Sequence, residues 1–223
     1  HMALSNNSVS YTDKPDAETF MREWTSLIES KSGERGIFNR VAAKKQAAKN
    51  GRRDADYEFG CNPCSEIILR PYQFCNLTEV VIRSSDTLYD LKRKVRLATI
   101  LGTAQSTMTK FPYLRKIWNE NTEEERLLGV SLTGIMDNPL TNGKEGNLKE
   151  LLCQLKKHAV VINSSYANNY GIPQSTAITC VKPSGTVSQL VDSASGIHAR
   201  HSNYYVRTVR GDAKDPLTNF MID

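Results

Sequence analysis

The sequence contains no long apolar segment. No run of apolar residues approaches the roughly 20 that a membrane-spanning helix requires, and no basic segment followed by an apolar one marks a secretory leader. Internal repeats and low-complexity tracts are also missing. The composition, with 39% apolar and 24% charged residues, is that of an ordinary globular protein. The 223 residues therefore predict one substantial domain, or one and a half small ones, without a membrane partner.

Cysteines are few and follow no disulfide framework. The chain has five, an odd number with irregular spacing, which is typical of a protein from the reducing cytoplasm. Cys61 and Cys64 form a Cys-x-x-Cys pair, a spacing found in zinc sites and redox pairs. A structural zinc site needs two more ligands, but Cys75, Cys153, Cys180 and the four histidines form no second close pair. Cys153 and Cys180 are interpreted as small apolar core residues.

The sequence also lacks a concentrated stripe of basic charge. The net charge is +5, but the basic residues are scattered over several predicted helices and interleaved with acidic ones. Groups such as Arg52 with Arg53 and the cluster at residues 92–94 are interpreted as solvated surface, with some attraction for a polyphosphate ligand. The pattern argues against direct binding of DNA or RNA.

The most distinctive stretch that is present covers residues 60–66. It places an amide, a thiol and a carboxylate at alternate positions, in Asn62, Cys64 and Glu66. Pro63 fixes its own φ and offers no backbone donor, which discourages a helix. In an extended segment, alternate side chains point to one face. The pattern therefore predicts a short finger that presents all three groups to one bound molecule. A thioredoxin-type redox pair would not need the flanking amide and carboxylate.

Hydrophobic periodicity predicts a mixed α/β architecture. Strand-like segments are expected at residues 5–11, 67–69, 77–82, 127–132, 177–181 and 204–209. Long helices are expected from about Pro15 to Gly33, over 41–50, from a cap at 84–86 to about Lys110, and from about Asn147 to Gly171. Short helical pieces are expected at 113–118 and 122–126. Strands that alternate with long helices favour parallel pairing.

Three finer expectations follow from the same patterns. The apolar face of the first helix, with Phe20 and Trp24, should pack in the core. Leu101 should belong to the core face of the long helix that precedes Lys110. Residues 123–125, three consecutive glutamates, should form an exposed acidic turn.

A second candidate site follows the predicted strand at 177–181. The next residues are Lys182 and a loop made of Pro183, Ser184, Gly185, Thr186, Val187 and Ser188. Small residues let a backbone approach a ligand closely, and Gly185 has no Cβ in the way. If residues 186–191 form a helix, its free N–H groups point at an anion in the loop. Such a string is often an ordinary turn, but its place after a buried strand favours a phosphate site.

The finger and the segment after it resemble the active site of a known enzyme family. Asn62-Pro63-Cys64-Ser65-Glu66, followed by Phe74-Cys75-Asn76-Leu77-Thr78-Glu79-Val80, is similar to the active-site segment of ribonucleotide reductases. The likeness is strongest to the class II, adenosylcobalamin-dependent enzymes that reduce ribonucleoside triphosphates. The loop at 182–188 looks like the family's substrate-phosphate loop, and flanking segments look similar from Ser5 to Asp223. Residues 1–3 look like an expression scar, so residues 4–223 are expected to form a partial catalytic barrel domain.

The resemblance implies a fold and a role for each site residue. The chain would be part of the family's ten-stranded α/β barrel, with the finger threaded through its centre. Cys64 would carry the thiyl radical, Glu66 would act as general base, and Asn62 would hold the ribose hydroxyls. Cys75 would supply one reducing equivalent from the opposite face of the ribose. Residues 183–188 would bind the substrate phosphates.

The resemblance also implies a cofactor and partners. Adenosylcobalamin, with its cobalt, would be the cofactor, although most of its site is expected outside this chain. Partners would be a ribonucleotide substrate, a complementary N-terminal half of the reductase that holds the thiol partner of Cys75, and an external dithiol such as thioredoxin. The chain is therefore expected to be a fragment or split subunit, inactive alone.

Alternatives to a class II reductase fragment remain open at this point. The chain could be a non-catalytic module that binds nucleotides through the loop at 183–188. It could be part of a class I reductase large subunit. It could also be a small zinc or redox protein built on Cys61 and Cys64.

Overall fold

Helices and short strands alternate along the chain in the computed structural model, which describes residues 8–31, 36–206, 208 and 210–222. The strands are β1 Val9–Tyr11, β2 Ile37–Asn39, β3 Gly60–Cys61, β4 Ile68–Leu69, β5 Asn76–Val81 and β6 Leu128–Thr133. The helices are α1 Ala17–Ser30, α2 Arg40–Ala48, α3 Leu88–Gln105, α4 Lys116–Glu125, α5 Leu148–Tyr170, α6 Val187–Leu190 and α7 Pro216–Ile222. The predicted α/β class is confirmed at this level.

The centre of the molecule is a parallel pair of strands. β5 and β6 are paired in parallel over their full length, with Asn76 opposite Leu128 and Val81 opposite Thr133. The segment after Ala177 runs beside β6, where Val130 N donates to Ile178 O at 2.8 Å and Cys180 N donates to Val130 O at 3.1 Å. β6 is buried almost throughout because it has a neighbour on each side. The predicted strand at 127–132 is therefore confirmed.

Two long helices cover one face of this sheet. The core cluster joins strand residues to α3 and α5, and consists of Val80, Ile82, Leu91, Val95, Leu128, Val130, Leu155, Ala159 and Ile178. α5 begins and ends where the sequence predicts, because the Asn147 side chain accepts from Glu150 N and Gly171 adopts the left-handed conformation that ends a helix.

The first turn of α3 corrects a predicted boundary. The N-cap is Thr87, whose hydroxyl accepts from Asp90 N while the Asp90 carboxylate accepts from Thr87 N. The helix ends at Gln105 and not near Lys110. Leu101, expected in the core, is 63% exposed. On this helix the buried positions near the end are small residues that face β5 and β6, so Leu101 lies on the other side.

Helix α1 and the acidic turn differ more strongly from expectation. No residue of α1 is buried, and Trp24 is 48% exposed, so the predicted core role of this face is wrong within the described residues. The helix ends at Ser30, and Gly33 lies outside the described residues. The two short helical pieces are one helix, α4, and its last residue, Glu125, is 1% exposed. The expectation of an exposed turn is wrong at Glu125, because Arg53 and Arg70 form ion pairs with its carboxylate.

The barrel expected from the resemblance is not formed by the described residues. They contain three separate two-stranded pairings, β1 with β2, β3 with β4, and β5 with β6. The prediction of a strand at 204–209 is wrong for residues 204–206, which have no strand partner. Residues 207 and 209 lie outside the described residues. The division into residues 1–3 and 4–223 stays a prediction. None of the described helices combines the length and apolar character needed to cross a bilayer.

Candidate functional site

The finger is a small hairpin with a tight tip. β3 and β4 pair antiparallel, with Cys61 opposite Ile68. Between them, Asn62 N donates to Ile67 O at 3.2 Å and Ser65 N donates to Asn62 O at 2.9 Å. Asn and Pro suit the first two positions of such a turn. Ser65 then has a positive φ of 62°, which reverses the chain direction.

This geometry corrects the predicted presentation of the three finger groups. The segment is a turn, so alternate residues do not share one face. The Asn62 side chain accepts from Ile67 N at 3.0 Å and therefore stabilises its own hairpin. Cys64 is exposed at the tip, while Glu66 is half-buried where the chain returns. Pro63 and Asn62 favour the turn over an extended strand.

The hairpin packs against β6, where Ile67 lies over Gly129. Gly129 lies in β6 at the contact. A Cβ added there would lie 3.0 Å from Ile67 Cδ1 of the finger and 3.1 Å from Cys180 Sγ. The absence of a side chain at Gly129 thus lets the finger and Cys180 lie close together over the strand.

The Glu66 carboxylate acts on the pKa of two half-buried thiols. Burial raises the pKa of Cys75, which precedes β5, to about 11, and the Glu66 carboxylate adds to the shift. Burial raises the pKa of Cys180 to about 12, again with a contribution from Glu66 and a smaller one from Cys75. One carboxylate oxygen of Glu66, Oε2, is buried and has no hydrogen-bond partner among the described residues.

A cleft opens beside this group. Its volume is about 790 Å³, within the range of sites that hold one small organic ligand. Ser65, Glu66 and Cys180 line it on the finger side. Its apolar wall comes from the sheet and from α5, with Val130, Leu132, Val181, Leu152 and Leu155. A mainly apolar cleft with one unpartnered carboxylate oxygen is suited to binding an organic molecule that carries a hydrogen-bond donor.

The predicted phosphate loop is a tight turn with a short helix after it. Gly185 has a φ of 57°, and Val187 N donates to Ser184 O at 3.2 Å. The hydroxyls of two loop serines are used internally, Ser184 toward Ser195 at 2.9 Å and Ser188 toward Gly185 O at 3.1 Å. The predicted helix at 186–191 is the four-residue α6.

The other members of the loop are open to solvent. Pro183, Gly185, Thr186 and Val187 are exposed, whereas Ser184 and Ser188 are buried. Lys182 turns back on the loop, with its Nζ 3.1 Å from Pro183 O. Exposed backbone at Gly185 and Thr186 is what an anion would meet first.

Sequence reasoning missed two members of this region. Cys180 had been assigned to simple packing, but it lines the cleft together with Glu66. Glu79 in β5 was not singled out, yet burial raises its pKa while Lys182 opposes the shift, and its Oε1 is buried without a partner. The available signal was position, since Glu79 and Lys182 lie near the carboxyl ends of the two parallel segments that flank β6, and ligands commonly bind at such ends.

The zinc alternative finds no ligand set in the described part of the chain. No group of three or more histidine, cysteine, aspartate or glutamate side chains that could hold a metal ion is found there. Cys61 instead lies 3.4 Å from the Ser65 hydroxyl across the finger turn.

Sequence comparison places the chain beside a family of reductases, although no protein-family model matches it. It is 30% identical to an adenosylcobalamin-dependent ribonucleoside-triphosphate reductase of Lactobacillus helveticus, over 97% of the chain and 32% of the relative. A reductase of the same name from Lacticaseibacillus paracasei is 28% identical over the same shares. A probable one from Dictyostelium discoideum is 32% identical over 68% of the chain and 20% of the relative.

Structure comparison agrees at the level of the fold. The crystal structure of a B12-dependent, class II ribonucleotide reductase matches 86% of the chain and 34% of its own length. The TM-score is 0.59 at 20% sequence identity, so this likeness speaks for the fold alone. The chain spans about a third of the length of the relatives it matches. Over nearly its whole length it is homologous to part of the adenosylcobalamin-dependent ribonucleoside-triphosphate reductases, so the resemblance noted in the finger is confirmed.

Proposed function

We propose that the chain carries the radical and substrate-positioning residues of an adenosylcobalamin-dependent ribonucleotide reductase, with ribonucleoside triphosphates as substrates. The observation that carries the proposal is the position of Glu66. Its unpartnered oxygen is buried, its side chain lines a cleft of ligand size, and its charge helps to raise the pKa of both Cys75 and Cys180. The names of the relatives support the reaction, the substrate class and the choice of class II over class I.

In the proposed reaction, each site residue has one task. The Cys64 sulfur, exposed at the finger tip, takes the hydrogen atom from C3′ of the ribose and later returns it. Glu66 accepts the proton of the 3′-hydroxyl, for which it must lie within hydrogen-bond reach. The 2′-hydroxyl then leaves as water. Two thiols, Cys75 and a partner, supply two hydrogen atoms and become a disulfide, so atoms and electrons balance.

A neutral thiol is the form that this step requires of Cys75. The raised pKa, about 11, keeps its S–H bond intact at neutral pH. A thiolate would be a better nucleophile but has no hydrogen atom to give. The proposed partner thiol lies in the remaining part of the reductase, and an external dithiol such as thioredoxin would reduce the disulfide afterwards.

Adenosylcobalamin supplies the radical when it is bound, but the cleft beside Glu66 does not fit it. The cleft of about 790 Å³ has the size for one drug-sized ligand, not for a corrin with its side chains. The cleft fits a nucleoside better. Dependence on the cofactor is therefore proposed from the relatives, and no step is assigned to it here.

We also propose that the loop holds the substrate phosphates through the exposed backbone of Gly185 and Thr186. Gly185 has a positive φ and nothing lies within 4 Å of the position its Cβ would take, so an anion has room to approach. The four-residue α6 adds little helix dipole. Ser184 and Ser188 support the loop through their internal hydrogen bonds.

The test replaces Cys64 with serine in the chain assembled with the remaining part of the reductase. Deoxynucleotide formation should fall to background, because a hydroxyl cannot replace a thiol as an accessible radical carrier. Cys153→Ser, at an exposed position on α5, is the matched control and should keep turnover within about twofold of the unmodified assembly. Normal turnover by Cys64→Ser would show that the radical residue is assigned wrongly.

A further inference from the structure

A buried ion pair lies beneath the finger. Arg53 donates from Nε to Glu125 Oε1 and from Nη2 to Glu125 Oε2, each at 2.8 Å. The side chains are 3% and 1% exposed. Such a bidentate pair has a fixed geometry, because the planar guanidinium matches the carboxylate at two points. Arg53 had been interpreted as solvated surface charge, and that interpretation is wrong.

The same guanidinium also reaches the finger. Its Nη1 donates to Ile68 O, in β4, at 2.8 Å. Its plane lies over the Phe59 ring, 4.6 Å from the centroid, and Phe59 directly precedes β3. One side chain thus contacts the base of both finger strands while it is anchored to the last residue of α4.

A second arginine repeats the arrangement at the end of β4. Arg70 donates to Glu124 at 2.8 and 3.2 Å and lies 3.2 Å from Glu125 Oε1. Its guanidinium is 3.7 Å from the centroid of Tyr57. Gln73 connects the two arginines, since its Oε1 accepts from the backbone N of Arg70 at 2.9 Å and from Arg53 Nη2 at 3.2 Å.

Helix stability does not explain this cluster. Glu124 and Glu125 place two negative charges at the carboxyl end of α4, which is the negative end of the helix dipole, so they do not stabilise the helix. A buried ion pair is also often no more stable than an apolar contact of the same size. The finger, by contrast, has only two paired residues per strand, and an isolated two-stranded hairpin is marginal in water. External contacts must therefore hold its conformation.

We propose that Arg53 and Glu125 are positioning residues that hold the finger hairpin in place on the β5–β6 sheet. The consequence for catalysis rests on the proposed function, in which the finger carries Cys64. Without the pair, the hairpin opens locally while the sheet and its helices stay folded. Cys61, half-buried in β3, then reports the opening. The backbone amides of α3 and α5 report the sheet, because Cys75 and Cys180 lie close to Glu66 of the finger and would respond to the opening themselves.

The experiment measures alkylation of each cysteine by N-ethylmaleimide in the 223-residue chain, with peptide mass spectrometry as the readout. The variant is Arg53→Met with Glu125→Leu, which removes both charges together and leaves no uncompensated ion. We expect Cys61 to react about 10- to 100-fold faster, the range for the loss of one hydrogen bond to a charged group. Hydrogen exchange at the backbone amides of α3 and α5 should stay within about twofold of the unmodified chain.

The control is Lys116→Gln with Glu120→Gln, an exposed pair on the same helix with a separation of 2.9 Å. It should leave all rates unchanged, since exposed pairs contribute little. Acceleration of hydrogen exchange in α3 and α5 by the same factor as the alkylation of Cys61 would mean a global stability effect and would overturn the proposal, as would an unchanged rate at Cys61. If the double variant does not fold, Arg53→Lys is judged by the same criteria. The readout needs no turnover, so it is independent of whether the reductase assignment holds.

Discussion

At the scale of single residues, burial decides the chemistry of the thiols. Cys75 and Cys180 lie close to a carboxylate in a partly desolvated region, and both effects disfavour the thiolate. Nucleophilic cysteines have the opposite surroundings, with positive charge and a lowered pKa. These two thiols are therefore suited to giving a hydrogen atom and poorly suited to nucleophilic attack.

We expect Glu66→Gln to lower the pKa of Cys75 below about 11, because the variant removes the nearby negative charge. The pKa should stay above that of an ordinary cysteine, about 8.5, since burial is the larger cause. The rate of alkylation against pH measures the value. Glu79→Gln is the matched control, because Glu79 contributes to the pKa of Cys180 and not to that of Cys75. An unchanged Cys75 profile in Glu66→Gln would contradict the placement of this carboxylate.

At the scale of elements, β6 is limited by space on its finger side. A Cβ at Gly129 would lie 2.4 Å from Leu77 Cδ2, in addition to its close approach to Ile67 and Cys180. The strand therefore needs glycine here for packing reasons, since three neighbours converge on one position.

We expect Gly129→Ala to lower the free energy of unfolding by about 1–3 kcal/mol, the usual cost of overpacking. Urea denaturation measures the change. Gly60→Ala, in β3, is the matched control because nothing lies within 4 Å of the added Cβ. Equal effects of the two substitutions would argue against close packing of the finger on β6.

A buried amide joins helix α5 to α3 and to the segment that follows α5. Asn163 is fully buried, and its Nδ2 donates to Thr103 Oγ1 at 3.0 Å and to Ser175 Oγ at 2.9 Å. Its Oδ1 accepts from Ser175 N at 3.0 Å. Three elements of the fold, α3, α5 and the segment after α5, therefore depend on this side chain.

Replacing Asn163 with alanine should lower the free energy of unfolding by about 2–4 kcal/mol, since it leaves a buried N–H unsatisfied and opens a cavity. Thermal denaturation with a second measurement in urea gives the change. Asn168→Ala, exposed on the same helix, should have an effect below about 0.5 kcal/mol. A stability near that of the unmodified chain in Asn163→Ala would show that the amide network is dispensable.

At the scale of the whole molecule, the described residues contain the elements on which the proposed site depends. The sheet, the finger and the loop are present, and the chain spans about a third of the length of the reductases it resembles. The apolar face of α1 is exposed, with Met21 54% and Ile28 64% accessible. A face of this kind is typical of an element that packs against further polypeptide.

We expect the 223-residue chain alone to form no deoxynucleotide from ribonucleoside triphosphates, even with adenosylcobalamin and a dithiol. The reason is chemical: two-electron reduction needs a partner thiol for Cys75, which is proposed to lie in the remaining part of the reductase, and the cleft beside Glu66 is too small for a corrin. Product analysis by chromatography is the measurement. Supplying the remaining part of the reductase as a separate chain is the positive control, and turnover by the chain alone would contradict the proposed division of the site.

Some features were predictable because they depend on residues close together in the sequence. The caps of α5, the buried strand β6 and the tight loop after residue 181 follow from local residue chemistry, and the finger motif was sufficient to indicate the reductase family. The conformation of the finger was predicted wrongly, although its cause is also local. Alternation suggested an extended strand, but the Asn62 amide and Pro63 favour a turn.

The sequence by itself was sufficient to indicate the reductase family and to propose the reactive groups, because the motif residues are contiguous. Only the tertiary structure decided which distant groups meet them. Arg53 and Glu125 are 72 positions apart, and no periodicity distinguishes them from surface charges. Cys180 lies beside the finger only because residues 177–180 run next to β6 and Gly129 leaves room for its sulfur. Long-range burial and pairing are properties of the packed chain, so local patterns cannot reveal them.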